Sequence, residues 1–147
     1  MTLAEKNLDY ELTEINLGNR PANWKEISPY GKVPVLLHGE HRLYESGIVN
    51  QYLDERFPQH PLMPTDPLLR AQARIWMDYC DSRLGNASWQ LMQAKDDAEK
   101  RAAAIAVLHE ACQFIEHEGL RKLSDGPYWL GANVSLVDIQ FIPFMHR

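Results

Sequence analysis

The sequence predicts an α/β half followed by an all-α half. In the first 60 residues, two short apolar runs flank a Gly-containing loop and a helical pattern follows, which is typical of a β-hairpin leading into a helix. The stretch FPQHPLMPTD, at 57–66, contains three prolines and interrupts both patterns. After it, apolar residues recur every three or four positions, which indicates helices. We therefore expect domains at 1–60 and 67–147, joined by a Pro-rich linker at 61–66.

The first half is expected to contain three strands and a helix. Alternating apolar residues predict a strand over Leu8–Asn16, and Trp24–Ile27 reads as a short helical turn. Val35–Leu37 and Arg42–Tyr44 form the predicted hairpin. Apolar residues at helical spacing then predict an amphipathic helix over Ser46–Phe57, with Ser46 as its N-cap.

The second half carries clear signals for where its helices begin. Asp66 is an N-cap candidate, and proline is well suited to the first helical position that follows it. The apolar spacing then predicts one helix running to about Leu84 and another over Ala98–Ile115. Near the end, Ser135 and Asp138 have the spacing of a capping box, so a last helix is expected to begin at Leu136.

The composition excludes several classes of protein. The chain has 147 residues, is 45% hydrophobic and carries a net charge of −5, which suits a soluble globular protein. It shows no basic stripe for nucleic acid and no apolar run of the ~20 residues that a membrane helix needs. Cys80 and Cys112 are too few for a disulfide framework, which favours a reducing cytoplasm, and both are expected to be buried on helix faces. We expect no metal site, because His109-Glu110 lacks the second histidine of an H-E-x-x-H motif.

Two local features suggest a small binding site. Pro34 interrupts the apolar run Val33–Leu37, although proline cannot donate to a sheet and belongs at a strand start, an edge or a bulge. One hairpin later, Glu45-Ser46 stands where a helix begins, and the free N–H groups of a helix N-terminus bind anions. Each feature alone has an ordinary structural explanation, a strand-start proline and a helix cap. Together they favour a site.

These residues resemble the glutathione transferase superfamily. Four pieces occur in the family's order, over nearly the whole chain: Val33-Pro34, Glu45-Ser46, the linker PLMPTDP at 61–67, and Ser135-x-x-Asp138. The resemblance implies a thioredoxin-like first half, incomplete here, followed by a helical half that is truncated.

The resemblance also implies a glutathione site. It places a cis peptide bond before Pro34, and it assigns the backbone of Val33 to pairing with the cysteinyl part of glutathione. The residues matching Glu45 and Ser46 hold the γ-glutamyl end, and Lys32 is a candidate for the glycyl carboxylate. By family, we expect glutathione as the substrate, with no metal.

The resemblance further implies a strand and the start of a helix ahead of Met1, with residues 1–7 as the end of that helix, and a loop after the strand with a Tyr, Ser or Cys that activates the glutathione sulfur. No residue here can be assigned that role, so no catalytic residue is predicted, and we expect a natural short form, a fragment or a mis-started reading frame. The expected function is glutathione binding and, in a complete chain, transfer to an electrophilic small molecule in cytoplasmic detoxification, by a homodimer. The alternatives are a non-enzymatic interaction module like the stringent starvation protein, or an inactive fragment. We expect neither nucleic acid nor membrane as a partner.

Overall fold

The computed structural model describes residues 1–145, which divide into two compact units. The first is Met1–Pro61 and the second begins at Leu62. The first unit contains a β-hairpin and short helices, and the second is helical. The predicted fold class, α/β plus all-α, is therefore confirmed. Among the described helices, none is both long enough and apolar enough to cross a membrane.

A β-hairpin is the centre of the first unit. Its strands are β1 (Val35–His38) and β2 (His41–Tyr44), which pair antiparallel with Val35 opposite Tyr44 and His38 opposite His41. The predicted hairpin is present, but its loop is the two residues Gly39-Glu40 rather than the predicted His38–His41, because His38 and His41 pair as the last residues of the two strands. The helices of this unit are α1 (Thr2–Glu5), α2 (Trp24–Ile27) and α3 (Ser46–Arg56).

A buried ion pair fixes α1 against α3. The Lys6 ammonium donates to the Asp54 carboxylate at 2.7 Å, and the Lys6 side chain is fully buried. The same ammonium also donates to the backbone carbonyls of Gln59 and His60, at 3.2 and 3.1 Å. A buried charge is tolerated when it is paired and fully hydrogen-bonded, and these three acceptors satisfy the three donors of a lysine.

The predicted strand over Leu8–Asn16 is wrong. The segment has neither helical nor strand structure, and within residues 1–145 the sheet consists of β1 and β2. The alternation that predicts the strand leaves Tyr10 60% exposed and Leu12 71% exposed. A strand is defined by its pairing with a neighbour, and no described segment pairs with this one.

The first helix of the second unit begins at the predicted N-cap. Asp66 accepts a hydrogen bond from the Leu69 N–H at 2.9 Å, and Pro67 occupies the first helical position. The helices are α4 (Pro67–Tyr79), α5 (Asn86–Ala94), α6 (Ala98–Phe114), α7 (Arg121–Leu123) and α8 (Leu136–Met145). π-helical turns at Cys80–Gly85 and Ile115–Leu120 follow α4 and α6. The sequence pattern predicts no helix over 86–94, and α5 is therefore missed; Gly85, Asn86 and Ser88, at and near its start, are weak helix formers.

An aromatic core and a capping box hold the second unit together. Trp76, Trp129 and Phe141 are buried, and their ring centroids lie 5.2 Å apart for Trp76–Trp129 and 4.3 Å for Trp129–Phe141. At the start of α8, the Asp138 carboxylate accepts from the Ser135 N–H at 2.8 Å, and the Ser135 hydroxyl lies 3.5 Å from the Asp138 N–H. The predicted capping box is thus confirmed.

Candidate functional site

The residues that the sequence analysis selects lie around one cleft in the first unit. The cleft has a volume of about 200 Å³. Its lining contains Lys32, Val33, Pro34, Glu45 and Ser46, together with residues that the sequence analysis does not select, namely Ser28, Tyr30 and Tyr44. The structure therefore brings together two pieces of chain, one before β1 and one after β2.

A closed turn forms the side of the cleft before β1. The hydroxyl of Ser28 is fully buried and donates to the Lys32 carbonyl at 2.7 Å. The Gly31 N–H donates to the Ser28 carbonyl at 2.9 Å, and Gly31 lies at φ 70°, a conformation that glycine adopts without a steric penalty. These bonds fix the backbone that leads into Val33.

The peptide bond between Val33 and Pro34 is cis, as predicted. Val33 is 46% exposed and precedes β1, which begins at Val35. Since Pro34 has no N–H group, the ladder with β2 starts one residue later. The backbone of Val33 therefore lies outside the sheet, at the rim of the cleft.

The hairpin ladder carries Glu45 and Ser46 to the opposite side of the cleft. Val35 is opposite Tyr44 in the ladder, so the residues just outside this pair, Pro34 and Glu45, are brought close together. Glu45 lies at φ 67° and ψ 110°, which is uncommon for a residue other than glycine. Such conformations persist where the surrounding structure holds them, often at binding sites.

The predicted N-cap of α3 is wrong by one residue. Glu45, not Ser46, occupies the cap position, because its backbone is not helical, and its side chain makes no capping hydrogen bond. The Ile48 and Val49 N–H groups both donate to the Glu45 carbonyl, at 3.0 and 2.9 Å. The N–H groups of Ser46 and Gly47 precede these first bonds, so they remain available at the end of the helix. Ser46 is the first helical residue and is one of the residues that line the cleft.

Two charged side chains at the cleft have no bonding partner among the described residues. In the described part of the chain, neither the Glu45 carboxylate nor the Lys32 ammonium makes an ion pair or a side-chain hydrogen bond. The cleft thus offers a carboxylate beside a helix N-terminus, and an ammonium group on the opposite turn. This arrangement suits a small ligand that carries both an ammonium group and carboxylates.

Two tyrosines also line the cleft, and neither is among the site residues predicted from the sequence. The rings of Tyr30 and Tyr44 meet edge to face, with centroids 4.9 Å apart. Tyr30 belongs to the turn Ser28–Gly31. The sequence of this turn indicates that the chain reverses direction, but it does not indicate which side chain faces a cleft. For Tyr44, which is half-buried, the available signal is its place at the end of the hairpin pattern, directly before Glu45.

Among the described residues, the thiols and histidines do not form a second site. Burial raises the pKa of the Cys80 thiol to about 12, and its Sγ lies 3.3 Å from the Gln140 carbonyl. Cys80 is buried as expected, whereas Cys112 is exposed, so that expectation is wrong for Cys112. His109 and His117 are exposed. Among residues 1–145, no group of three or more metal-ligating side chains is placed to hold a metal ion.

Comparison with protein families gives a match over the first unit. The family model described as the N-terminal domain of glutathione S-transferase matches residues 1–61. A probable glutathione S-transferase from Glycine max is 34% identical over 147 residues, with 98% of this chain and 63% of that protein covered. Glutathione S-transferase U19 of Arabidopsis thaliana is 35% identical over 146 residues, with coverage of 98% and 64%. The chain thus spans less than two thirds of the length of these relatives.

Comparison of the whole chain with solved structures shows the same similarity. The Tau class glutathione S-transferase from mango, Mangifera indica, superposes with a TM-score of 0.87 at 33% identity, covering 98% of this chain and 66% of that one. A rice enzyme, solved in complex with glutathione, superposes with a TM-score of 0.85 at 33% identity, covering 98% and 65%. The similarity therefore includes both units and not only the cleft.

Proposed function

The chain belongs to the glutathione transferase superfamily, and on that premise we propose that its cleft binds glutathione. The proposal depends mainly on one observation. Val33 and Pro34 line the same small cleft as Glu45 and Ser46. The rice relative, whose fold this chain shares, was solved with glutathione bound.

The γ-glutamyl end of glutathione fits the side of the cleft formed by α3. This end carries an ammonium group and a carboxylate on one carbon atom. The Ser46 hydroxyl and the free N–H groups of Ser46 and Gly47 would receive the carboxylate, since a helix N-terminus attracts negative charge. The Glu45 carboxylate would pair with the ammonium group through a charge-assisted hydrogen bond.

The rest of the tripeptide fits the opposite side. The cysteinyl residue would lie along the backbone of Val33, which is outside the hairpin ladder and therefore free to pair with an extended peptide. The exposed ammonium group of Lys32 would meet the glycyl carboxylate. At about 200 Å³, the cleft is smaller than the roughly 300 Å³ at which small-molecule pockets begin, so part of the ligand would lie on this exposed rim.

By its family, the proposed reaction is the transfer of glutathione to an electrophilic small molecule. In that reaction the glutathione thiol loses its proton to water, and the thiolate sulfur attacks an electrophilic carbon. A carbon–sulfur bond forms while the bond from that carbon to its leaving group breaks, and the leaving group, the halide ion in the case of an aryl halide, departs with the electron pair. Residues 1–145 supply the proposed peptide-holding groups, but we assign none of their side chains to lowering the thiol pKa. We therefore separate binding, which this chain is proposed to perform, from conjugation, which needs a thiol-activating group.

Isothermal titration of the 147-residue chain with glutathione tests the binding proposal. We expect Glu45→Gln to weaken binding at least about tenfold, because a hydrogen bond to a charged group is worth about 1.5–3 kcal/mol. Ser46→Ala is expected to weaken it by a smaller factor. Glu99→Gln and Ser82→Ala, at exposed positions of the second unit, are the matched controls and should bind like the wild type.

The absence of binding by the folded wild-type chain would overturn the proposal, and so would equal affinities of the Glu45 and Glu99 variants. A conjugation assay with an aryl halide then separates the two functional classes. Product formation supports a transferase, whereas binding without product supports a non-enzymatic module that retains the glutathione site.

A further inference from the structure

In the proposed mode of glutathione binding, on which this inference rests, the bound peptide has a fixed direction. Its γ-glutamyl end would lie at Glu45 and Ser46, which adjoin Pro34 at the end of the hairpin ladder. Its cysteinyl residue would lie along Val33, one position further from the hairpin. The third residue of the peptide continues in the same direction and would reach Lys32, so that the ligand runs antiparallel to residues 32–34.

Two ammonium groups flank the turn at this end of the cleft. Lys32 directly follows the turn Ser28–Gly31, and Lys25 lies on α2, before the turn. A side-chain carbon placed on Gly31 would be only 3.8 Å from the Lys25 nitrogen, so the Lys25 ammonium lies against the turn. Both lysines are exposed, and within residues 1–145 neither ammonium forms an ion pair or a hydrogen bond.

A C-terminal glycine has too few charges to pair with both lysines. It carries one carboxylate, for which Lys32 is the proposed partner. The stretch 25–32 contains these two lysines and one acidic residue, Glu26, so this end of the cleft carries a net positive charge, whereas Glu45 makes the other end negative. A third residue with a side-chain carboxylate would give the Lys25 ammonium a charged partner as well, and such charge-assisted hydrogen bonds are stronger than neutral ones.

The cleft also has room for a side chain at this position. Tyr30 is 61% exposed and Val33 is 46% exposed, so in the described part of the chain the rim beside the third residue is open. A longer side chain would therefore extend over the turn towards Lys25 without displacing packed residues. We propose that the site prefers γ-glutamyl-cysteinyl peptides whose third residue is acidic, with Lys32 at the C-terminal carboxylate and Lys25 at the side-chain carboxylate.

Isothermal titration with three peptides tests this preference. They are glutathione itself and the two peptides in which glutamate or glutamine replaces its glycine. The glutamate and glutamine peptides have nearly the same size and differ by one charge, so the ratio of their affinities isolates the second carboxylate. We expect the glutamate peptide to bind about three- to fivefold more tightly, the upper range for an exposed ion pair. Added salt should reduce this ratio, because salt screens exposed charges.

Variants of the lysines assign the two carboxylates. Lys25→Gln should abolish the difference between the glutamate and glutamine peptides, because the side-chain carboxylate loses its partner. Lys32→Gln should weaken the binding of all three peptides and preserve the ratio, since each of them has the C-terminal carboxylate. Lys95→Gln, at an exposed position of the second unit, is the matched control and should keep the wild-type ratio.

The possible failures are distinguishable from one another. Equal affinities for the glutamate and glutamine peptides, with glutathione still bound, would overturn the preference and leave the proposed function standing, since both lysines would then serve a single carboxylate. An unchanged ratio in Lys25→Gln, or an equal loss of the ratio in Lys95→Gln, would also overturn it. If the folded wild-type chain binds none of the three peptides, the proposed function is wrong and the preference is wrong with it.

Discussion

Replacing Asp138 with alanine removes a carboxylate on which the start of α8 depends. Within the described residues, this carboxylate accepts hydrogen bonds from the Trp129 N–H and the Ser135 N–H, both at 2.8 Å, and from the Ser135 hydroxyl at 2.6 Å. Trp129 and Ser135 are only 3% and 4% exposed, so water has little access to these donors. Asp138→Ala therefore leaves two backbone N–H groups without acceptors.

The size of the effect follows from those two groups. A hydrogen bond to a charged group contributes about 1.5–3 kcal/mol, so the loss of two gives about 3–6 kcal/mol. Because Asp138 itself is only partly buried, we expect the lower end, about 3 kcal/mol. The described part of the second unit, residues 62–145, has 84 residues, and at about 0.1 kcal/mol per residue its free energy of unfolding is about 8 kcal/mol. The variant should fold, but with roughly a third less stability.

Urea unfolding followed by far-UV circular dichroism and tryptophan fluorescence measures this loss. Asp78→Ala, at an exposed position of α4, is the control and should change the free energy of unfolding by less than about 0.5 kcal/mol. A loss below about 1 kcal/mol for Asp138→Ala would refute the reasoning. It would mean that water or a rearranged backbone satisfies both N–H groups.

Three smaller changes are expected. Ser135→Ala should lower the free energy of unfolding by about 1 kcal/mol, the usual effect of losing an N-cap, and an unchanged urea midpoint would count against it. Gly119→Ala should lower it by about 1–3 kcal/mol, because a Cβ there would lie 2.8 Å from the Trp129 ring; a wild-type midpoint would show that the ring moves aside. Iodoacetamide at pH 8 should label Cys112 but not Cys80, whose thiol is buried with a pKa near 12, and mass spectrometry of the native protein reads this out. Since that pKa is raised above its usual 9.0, the contribution of Cys80 to stability should be lost as the pH rises from about 9 towards 12.

The parts of the fold that sequence predicts well depend on contacts between residues close in the chain. The hairpin, the N-cap at Asp66 and the capping box of Ser135 and Asp138 each depend on groups within about ten residues of one another. The strand prediction for Leu8–Asn16 fails for the opposite reason. Alternation of apolar residues indicates suitability for a sheet, but whether a strand forms depends on a partner that is distant in sequence or in another molecule.

The candidate site is predicted only in part for a similar reason. All five selected residues line the cleft, yet the pattern does not reveal Tyr30 or Ser28, whose orientation depends on the backbone of a turn. Helix α5 is missed because its first residues are weak helix formers, and the helix continues through Gly85 by way of a π-helical turn. Cys112 lies at a helical spacing that suggests burial, but its face of α6 is exposed.

The hairpin explains why the spacing of two dipeptides predicts a site at all. Pro34 and Glu45 flank the last pair of the ladder, Val35 and Tyr44, so the ten positions between them are set by four strand pairs and a two-residue loop. Because side chains in a strand alternate with a period of two, a shift of one residue in this register would turn the side chains of one strand to the other face. The geometry of the cleft is thus fixed by backbone pairing before any side chain contributes. That property makes the cleft suitable for a ligand that is itself a peptide, since an extended peptide recognises backbone groups as well as side chains.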